Sequence, residues 1–330
     1  MLSYIIRRLI YMVILIGAIS IVGFVIIELP PGSFLEVRIA QLETQGQRVD
    51  EAQIAALKKQ YDLDSPQYLR YLKWVWKMLH GNLGMSFQWN RPVLDLIAER
   101  FPATILLSLF TLIFTYVIAI PIGIYSATHQ YSLGDYFFTF IGFIGLATPN
   151  FLLALILMFL FYRYFDISVT GLFSPQYLTA PWSIDKFTDM LVHLPIPIIV
   201  IGTAGTAGLI RVMRGCLLDE LKKQYVITAR AKGVAERILL FKYPVRVAIN
   251  PIISTIGWTL PGIFSGQVIT SIVLSLPTIG ALFYGALMMQ DMYLAGSSVV
   301  ILCTLTVIGT FISDLLLVWI DPRIRYEKKV

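Results

Sequence analysis

The residues able to do chemistry in this chain are few and scattered. His80, His129 and His193 fall in separate connecting segments, and none has a serine, cysteine or carboxylate at a spacing that could activate a nucleophile. Each therefore reads as an interfacial or loop histidine. Cys216 and Cys303 lie far apart, without a CxxC or Cys/His spacing suited to zinc, and read as small apolar fillers. No GxxxxGKS/T loop and no Gly-Lys dipeptide occurs, so neither backbone amides nor a lysine are arranged to hold phosphates. What remains is charge. Arg211–Pro251 carries Arg211, Arg214, Lys222, Lys223, Arg230, Lys232, Arg237, Lys242 and Arg246 against only Asp219, Glu220 and Glu236. Such a stretch cannot sit in hydrocarbon and marks a cytoplasmic loop. Its centre predicts two short helices, one running up to Gly233 and a second that Pro244 must end. Two short helices offered to the cytosol form a candidate docking surface.

The elements that carry this loop follow from composition. The chain is 57% hydrophobic and 14% charged, with a mean hydropathy of +0.75, whereas soluble domains hold roughly 45–50% apolar and about 25% charged residues. This is an all-α polytopic membrane protein. The formal charge of +6 does not mark a nucleic-acid binder, because the basic residues flank apolar runs and are not interleaved with exposed aromatics. Six windows have the roughly 20 apolar residues that a span needs: Leu9–Leu29, Thr104–Ala127, Tyr136–Phe161, Leu194–Ile210, Ile252–Leu276 and Ala295–Ile320. Arg7 and Arg8 precede the first span, and Arg323, Arg325, Lys328 and Lys329 follow the last, so both termini are expected in the cytoplasm. The basic loop then falls inside and Phe161–Leu194 outside. Glu28-Leu-Pro-Pro-Gly-Ser-Phe has no small-x-small cleavage site, so the first span is expected to be retained.

Pro31–Arg100 is a long external segment between the first and second spans. Asp50 and Gln53 form a capping box for a helix through Tyr61. Ser65-Pro66 opens a second helix that Gly81 can close, with Leu69, Leu72, Trp76 and Leu79 on one face. That stripe suits either a helix at the headgroup level or an external cap packed on its own core.

With these residues in view, the chain resembles the inner-membrane permease subunits of binding-protein-dependent ABC importers, specifically the larger-N-terminus half of the oligopeptide/dipeptide/nickel group. The resemblance covers nearly the whole length. It rests on Ile5-Ile-Arg-Arg-Leu, Leu29-Pro-Pro-Gly, Tyr71-Leu-Lys-Trp-Val-Trp-Lys-Met-Leu-His-Gly-Asn-Leu-Gly-Met-Ser, Arg91-Pro-Val, the Thr-Ala-Arg-Ala-Lys-Gly core ending at Gly233, and Asp321-Pro-Arg-Ile-Arg. It implies residues 1–100 as an N-terminal span plus external segment, and 101–330 as the type I importer core of five spans. The basic loop would be the coupling segment for a nucleotide-binding subunit, with Thr228, Ala229, Arg230, Ala231, Lys232, Gly233, Glu236 and Arg237 as the docking residues. The small alanines would permit close approach, and Arg230, Lys232 and Arg237 could pair with acids on the partner. Where the wider superfamily has Glu-Ala-Ala three residues before the glycine, this chain has Ile227-Thr228-Ala229, which removes that acid.

Implied partners are a second homologous permease, two cytoplasmic ATP-binding subunits that would carry ATP and Mg, and an extracytoplasmic solute-binding protein. The location would be a bacterial or archaeal cytoplasmic membrane. No cofactor is expected on this chain, and no catalysis. Di- or oligopeptides and oligosaccharides stand nearly level as substrates, with nickel behind. Ser271-Ile-Val-Leu-Ser-Leu-Pro-Thr-Ile-Gly280 and Gln290-Asp291-Met292-Tyr293 depart from the peptide group's usual pattern on the side facing the pathway. An ion-coupled secondary transporter would require an intramembrane carboxylate or histidine cluster, which is absent apart from Asp314.

Four further groups stand out. Gly202-Thr-Ala-Gly-Thr-Ala-Gly208 gives the fourth span a small surface, for close helix packing or for an aqueous lining. Gln267 on the fifth span needs a partner or water, and is a candidate pathway residue together with Ser265, Thr270, Ser271 and Asn150. Asp314 is expected to pair with Arg211 or Arg214 as a structural clamp. Pro121, Pro149 and Pro261 are expected to interrupt three spans.

Overall fold

A computed structural model describes residues 2–28, 65–166 and 169–320. The capping box at Asp50 and Gln53 and the closing Asp321-Pro-Arg-Ile-Arg lie outside these residues, and for Ser265 and Gln267 the structure describes the helical backbone. Among the described residues regular structure is helical, apart from one isolated bridge between Met85 and Pro92. Four helices are long and apolar enough to cross a membrane, at Ile6–Val25, Val93–Thr128, Pro195–Leu221 and Met292–Leu316. A bent pair, Leu133–Ala147 with Asn150–Phe165, makes a fifth if counted as one span.

The chain divides into two compact units, Met1–Thr104 with Pro277–Leu305, and Ile105–Leu276 with Thr306–Val330. The division returns Pro277–Leu305 to the N-terminal unit, a pairing that no local sequence signal indicates.

The first unit holds α1 (Leu2–Glu28), α2 (Gln67–Leu79), the start of α3 (Val93–Thr128), α12 (Ile279–Met288) and the start of α13 (Met292–Ile320). Its core gathers Phe24, Trp74, Val93, Leu96, Ile279, Leu282 and Leu294. Pro66 is the N-cap of α2, one residue later than expected, and Gly81 closes it at φ +78, a left-handed value that glycine adopts without strain. Tyr71, Trp74, Val75 and Met78 make the packing face of α2, and the Tyr71 hydroxyl meets Ser20 Oγ at 2.8 Å. The stripe Leu69, Leu72, Trp76 and Leu79 is left exposed, so α2 packs through a different face.

The second unit is built around α7 (Pro195–Leu221). Packed against it are α4 (Leu133–Ala147), α5 (Asn150–Phe165), α6 (Ile184–His193), α8 (Gln224–Ala231), α10 (Pro244–Ser254) and α11 (Ile256–Val273). Missing side chains explain why so many helices reach it. A Cβ on Gly202 would stand 2.9 Å from the Phe114 ring, and one on Gly145 of α4 would stand 2.6 Å from Thr203 Cγ2. One on Gly123 of α3 would stand 2.6 Å from Met213 Cβ. The small-residue surface of α7 is therefore a packing surface at Gly202, whereas Gly208 faces open space.

The prolines divide into two cases. Thr148, at φ −90 and ψ 119, is held out of the helical region by Pro149, and the chain turns by 106° between α4 and α5. The expected fifth window is split at Thr255 between α10 and α11. Pro261 does not interrupt its helix, contrary to expectation: α11 runs from Ile256 to Val273 through it, and the break at Thr255 lies before it. Pro121 does not interrupt its helix, since α3 runs continuously from Val93 to Thr128.

Candidate functional site

The basic loop folds as a hairpin of two short helices. Its first arm, α8 (Gln224–Ala231), begins two residues after Lys222 caps α7. Thr228 Oγ1 bonds back to the Gln224 carbonyl at 2.8 Å, and Lys232 N–H donates to Thr228 O at 3.1 Å. Gly233 then takes φ +76, its amide bonding Arg230 O, while Val234 N–H reaches Ala229 O at 3.3 Å. No atom lies within 4 Å of the position a Cβ would take, so glycine is required here by backbone conformation and not by crowding.

The second arm, α9 (Glu236–Lys242), ends at Tyr243, and Pro244 opens α10 at its first turn, where no amide donor is needed. The expected stop at Pro244 is thus also a start. The two arms close on a small core of their own, Val226, Ala229 and Leu239, with Val234 and Tyr243 beside it.

Electrostatics fasten the turn. Arg230 presents Nε and Nη2 to the two carboxylate oxygens of Glu236 at 2.6 and 3.2 Å, a bidentate fork across the Gly233 turn. The hydrogen bond and charge of Arg230 hold the Glu236 carboxyl below its ordinary value, and Glu236 raises that of the guanidinium. At the base of the hairpin the Tyr225 hydroxyl donates to Glu220 Oε2 at 2.6 Å, and desolvation together with that carboxylate pushes the phenol well up.

Burial sorts the expected docking residues into two groups. Ala229 is buried in the hairpin's own core, so it holds the arms together and does not face outward. Thr228, Arg230, Ala231, Lys232, Gly233, Glu236 and Arg237 are exposed. Arg230 is already engaged by Glu236, and Lys232 and Arg237 are exposed cations on the hairpin surface. Sequence reasoning passed over Ile227, Ile238 and Phe241, three exposed apolar side chains on the same two helices. The available signal was the i, i+3 spacing of Ile238 and Phe241 on a helix only 7 residues long. A cleft of about 350 Å³ lies beside the hairpin, lined by Ala127, Thr128, His129, Leu221, Arg230, Glu236 and Leu240 among others. The chain between α3 and α4 therefore meets the hairpin at the same end of this unit, a neighbour the loop's own sequence could not reveal.

Arg214 does not make the expected pair with Asp314. Its Nη2 meets Asp135 Oδ2 at 2.9 Å, with the aspartate 4% and the arginine 30% exposed. Asp135 stands in the first turn of α4, which lies along α7 and delivers the carboxylate to the guanidinium. The Arg211 guanidinium lies over the Phe143 ring at 5.5 Å, also on α4. Near Asp314, Ser313 Oγ reaches the Ile253 carbonyl at 3.4 Å, so that part of α13 adjoins α10.

The pathway candidates are brought onto adjoining elements. Asn150 is the first residue of α5, half-buried, and α5 packs against α11, which carries Ser265, Gln267, Thr270 and Ser271. Thr270 and Ser271 are fully enclosed within the chain.

Among the described residues, four to five membrane-capable helices and a folded surface hairpin define a helical membrane protein. Residues 119–326 match the family model described as "Binding-protein-dependent transport system inner membrane component", and residues 1–108 match its N-terminal companion. The chain belongs to this family, whose members are membrane permease subunits and not themselves enzymes. It is similar to the oligopeptide transport system permease protein AppB of Bacillus subtilis (strain 168), with 36% identity over 327 residues, covering 99% of this chain and 100% of the relative. It is 31% identical over 361 residues to the peptidoglycan transport system permease protein YejB of Agrobacterium fabrum, covering 99% of each. The dipeptide transport system permease protein DppB of Alkalihalophilus pseudofirmus is 29% identical over 340 residues, covering 99% of this chain and 100% of that one.

Proposed function

We propose that this chain forms half of the translocation pathway of an ATP-driven importer of di- or oligopeptides. It would work with a second permease, two cytoplasmic ATP-binding subunits and an extracytoplasmic binding protein. The observation that carries the reading is the hairpin: a pre-folded two-helix projection with its own core, which presents Ile227, Ala231, Lys232, Arg237, Ile238 and Phe241 outward. Exposed apolar side chains and cations on one small folded projection suit a groove on a folded partner. Peptide as substrate draws its support from the relatives, named for oligopeptide, dipeptide and peptidoglycan transport.

In this reading residues 101–330 are the transport core and 1–100 its N-terminal extension. The chain crosses the membrane six times, with both ends cytoplasmic. The neighbourhood of His129 and the hairpin supports that count. If Val93–Thr128 and Pro195–Leu221 both end on the hairpin's side, then α4 and α5 together must carry the chain to the opposite side before α7 returns it. ATP and Mg would bind the partner subunits. ATP-driven closure would move the hairpin as a rigid body, exposing the pathway alternately to each side. Candidate lining residues are Asn150, Ser265, Gln267, Thr270 and Ser271, the last two requiring helix movement because they are enclosed here.

The test is uptake by the reconstituted complex. Peptide accumulation that needs ATP, and that Gly233→Pro with Arg230→Glu abolishes together with ATPase co-purification, is the expected result. Accumulation of oligosaccharide and not peptide would overturn the substrate. Accumulation on an ion gradient without the ATPase subunits would overturn the importer reading itself.

A further inference from the structure

Helix α6 (Ile184–His193) is built inside out. At 100° per residue, Phe187, Leu191, Ile184, Thr188 and Val192 follow one another around one side of the helix, and Asp189, His193, Lys186 and Met190 around the other. In a helix resting on a water-facing protein surface the first set would pack inward. Here it points out: Ile184 is 82% and Val192 75% exposed, with Phe187 and Leu191 exposed beside them. The inward face is mostly polar, and Lys186 keeps only 7% of its surface.

That inversion is stable because each inward polar group is satisfied. Lys186 Nζ donates to Ala180 O at 2.6 Å and sits 4.8 Å from the Phe173 ring centroid and 5.5 Å from that of Trp182. Asp189 accepts from the Ser174 amide at 2.7 Å and from its hydroxyl at 2.6 Å. His193 Nδ1 lies 2.8 Å from Asp189 O. The Ser183 hydroxyl accepts from Lys186 N–H and caps the helix. The polar contacts therefore anchor α6 to the 169–183 segment, and the apolar arc is free to face something else.

We propose that this arc lies in the lipid bilayer surface, with Ile184, Phe187, Leu191 and Val192 at the boundary between headgroups and acyl chains. Position selects lipid over a protein partner. Leu194 is the only residue between α6 and the membrane-capable helix α7, which starts at Pro195. The start of a span lies at the headgroup level, so the end of α6 joined to it by one residue lies there too, and the whole 10-residue helix, roughly 15 Å long, stays within about that distance of the boundary. Trp182 is exposed on the segment that anchors α6, its ring against Lys186, and a tryptophan suits an interfacial position. The inference uses only the membrane location of α7 and not the substrate or the energy source. It assigns α6 as a float that fixes the tilt and depth of the helix around which the second unit is built.

Spin labels test it in the purified complex, reconstituted in nanodiscs of phosphatidylethanolamine and phosphatidylglycerol. Ile184→Cys, Phe187→Cys, Leu191→Cys and, for reference, Asp185→Cys are made in a Cys216→Ser, Cys303→Ala background. Labels at positions 184, 187 and 191 should relax several-fold more with oxygen than with a water-soluble nickel chelate, and the label at 185 should show the reverse. Equal access of the chelate to all four sites overturns the proposal in favour of a water-facing helix. Exclusion of both reagents overturns it in favour of a protein occupant. ATP-driven uptake measured on the same variants reconstituted in closed vesicles of the same lipids keeps this outcome separate from the transport reading. Because each label is a single surface substitution, a misfolded variant is recognised by loss of the complex on size exclusion.

Discussion

The Arg214 guanidinium and the Asp135 carboxylate meet at 2.9 Å, joining the C-terminal part of α7 to the first turn of α4. Two residues separated by 79 positions thereby fix how the bent α4–α5 pair leaves the central helix. The carboxylate also accepts the Tyr131 amide at 3.0 Å, so one side chain organises both the turn and the helix start.

Removing either partner alone leaves a charge with little solvent. Asp135→Asn or Arg214→Gln should each lower stability by about 1–3 kcal/mol, and the double substitution should cost less than the sum. Thermal unfolding of the purified complex measures the cycle. Strict additivity would mean that the pair contributes nothing beyond its separate contacts.

The hairpin separates folding from docking. Arg230→Ala and Glu236→Ala break an exposed fork, so chain abundance in the membrane should stay near wild type while ATPase co-purification falls. Gly233→Ala should add strain of about 1 kcal/mol at φ +76, weakening docking through the turn geometry. Because Arg230 depresses the Glu236 pKa, the fork is complete above the ordinary carboxylate pKa and is lost only as pH falls through the lower folded value. Co-purification measured between about pH 6 and 9 should therefore be flat with respect to this pair.

Close packing at α7 should tolerate little. Gly123→Ala places a methyl 2.6 Å from Met213 Cβ and 3.2 Å from the Ile210 carbonyl, and Gly145→Ala places one 2.6 Å from Thr203 Cγ2. Each should destabilise by about 1–3 kcal/mol, read as a lower melting temperature in detergent. Gly208→Ala, with open space around it, is the control and should be close to neutral.

Asp291 is fully buried and accepts from Ser86 Oγ at 2.5 Å, from Gln88 N–H at 3.0 Å and from Leu294 N–H at 3.2 Å. It thereby staples the 84–92 segment to the start of α13. Desolvation raises its pKa despite these donors. A carboxyl with a raised folded pKa loses stability as pH climbs from its unfolded to its folded value, opposite in sign to Glu236. Asp291→Asn should remove that pH dependence. It should also cost about 1–3 kcal/mol, because one amide oxygen cannot serve donors on both sides. Unfolding of the variant and the parent between pH 4 and 8 distinguishes the two, about the range in which a shifted carboxyl titrates.

Much of this protein was written along the chain in one dimension. Apolar run length marked four of the six expected spans as single membrane-capable helices, and a fifth as a bent pair, because backbone groups in hydrocarbon must bond within their own segment. The charge of Arg211–Pro251 placed the hairpin, and Gly233 and Pro244 located its turn and its end, because φ freedom and a missing amide act locally. The docking assignments of Lys232 and Arg237 rest on that local logic. Pairing was not legible. That Arg214 takes Asp135, that Ala229 turns inward while Ile227, Ile238 and Phe241 turn out, and that α2 packs through Trp74 and not through Leu72 all depend on which distant side chain arrives first at a given face. The same holds for α6. Its residues would suit an ordinary surface helix packed on apolar contacts, and only the tertiary structure, by satisfying Lys186 and Asp189 inside, decided that its apolar face points outward.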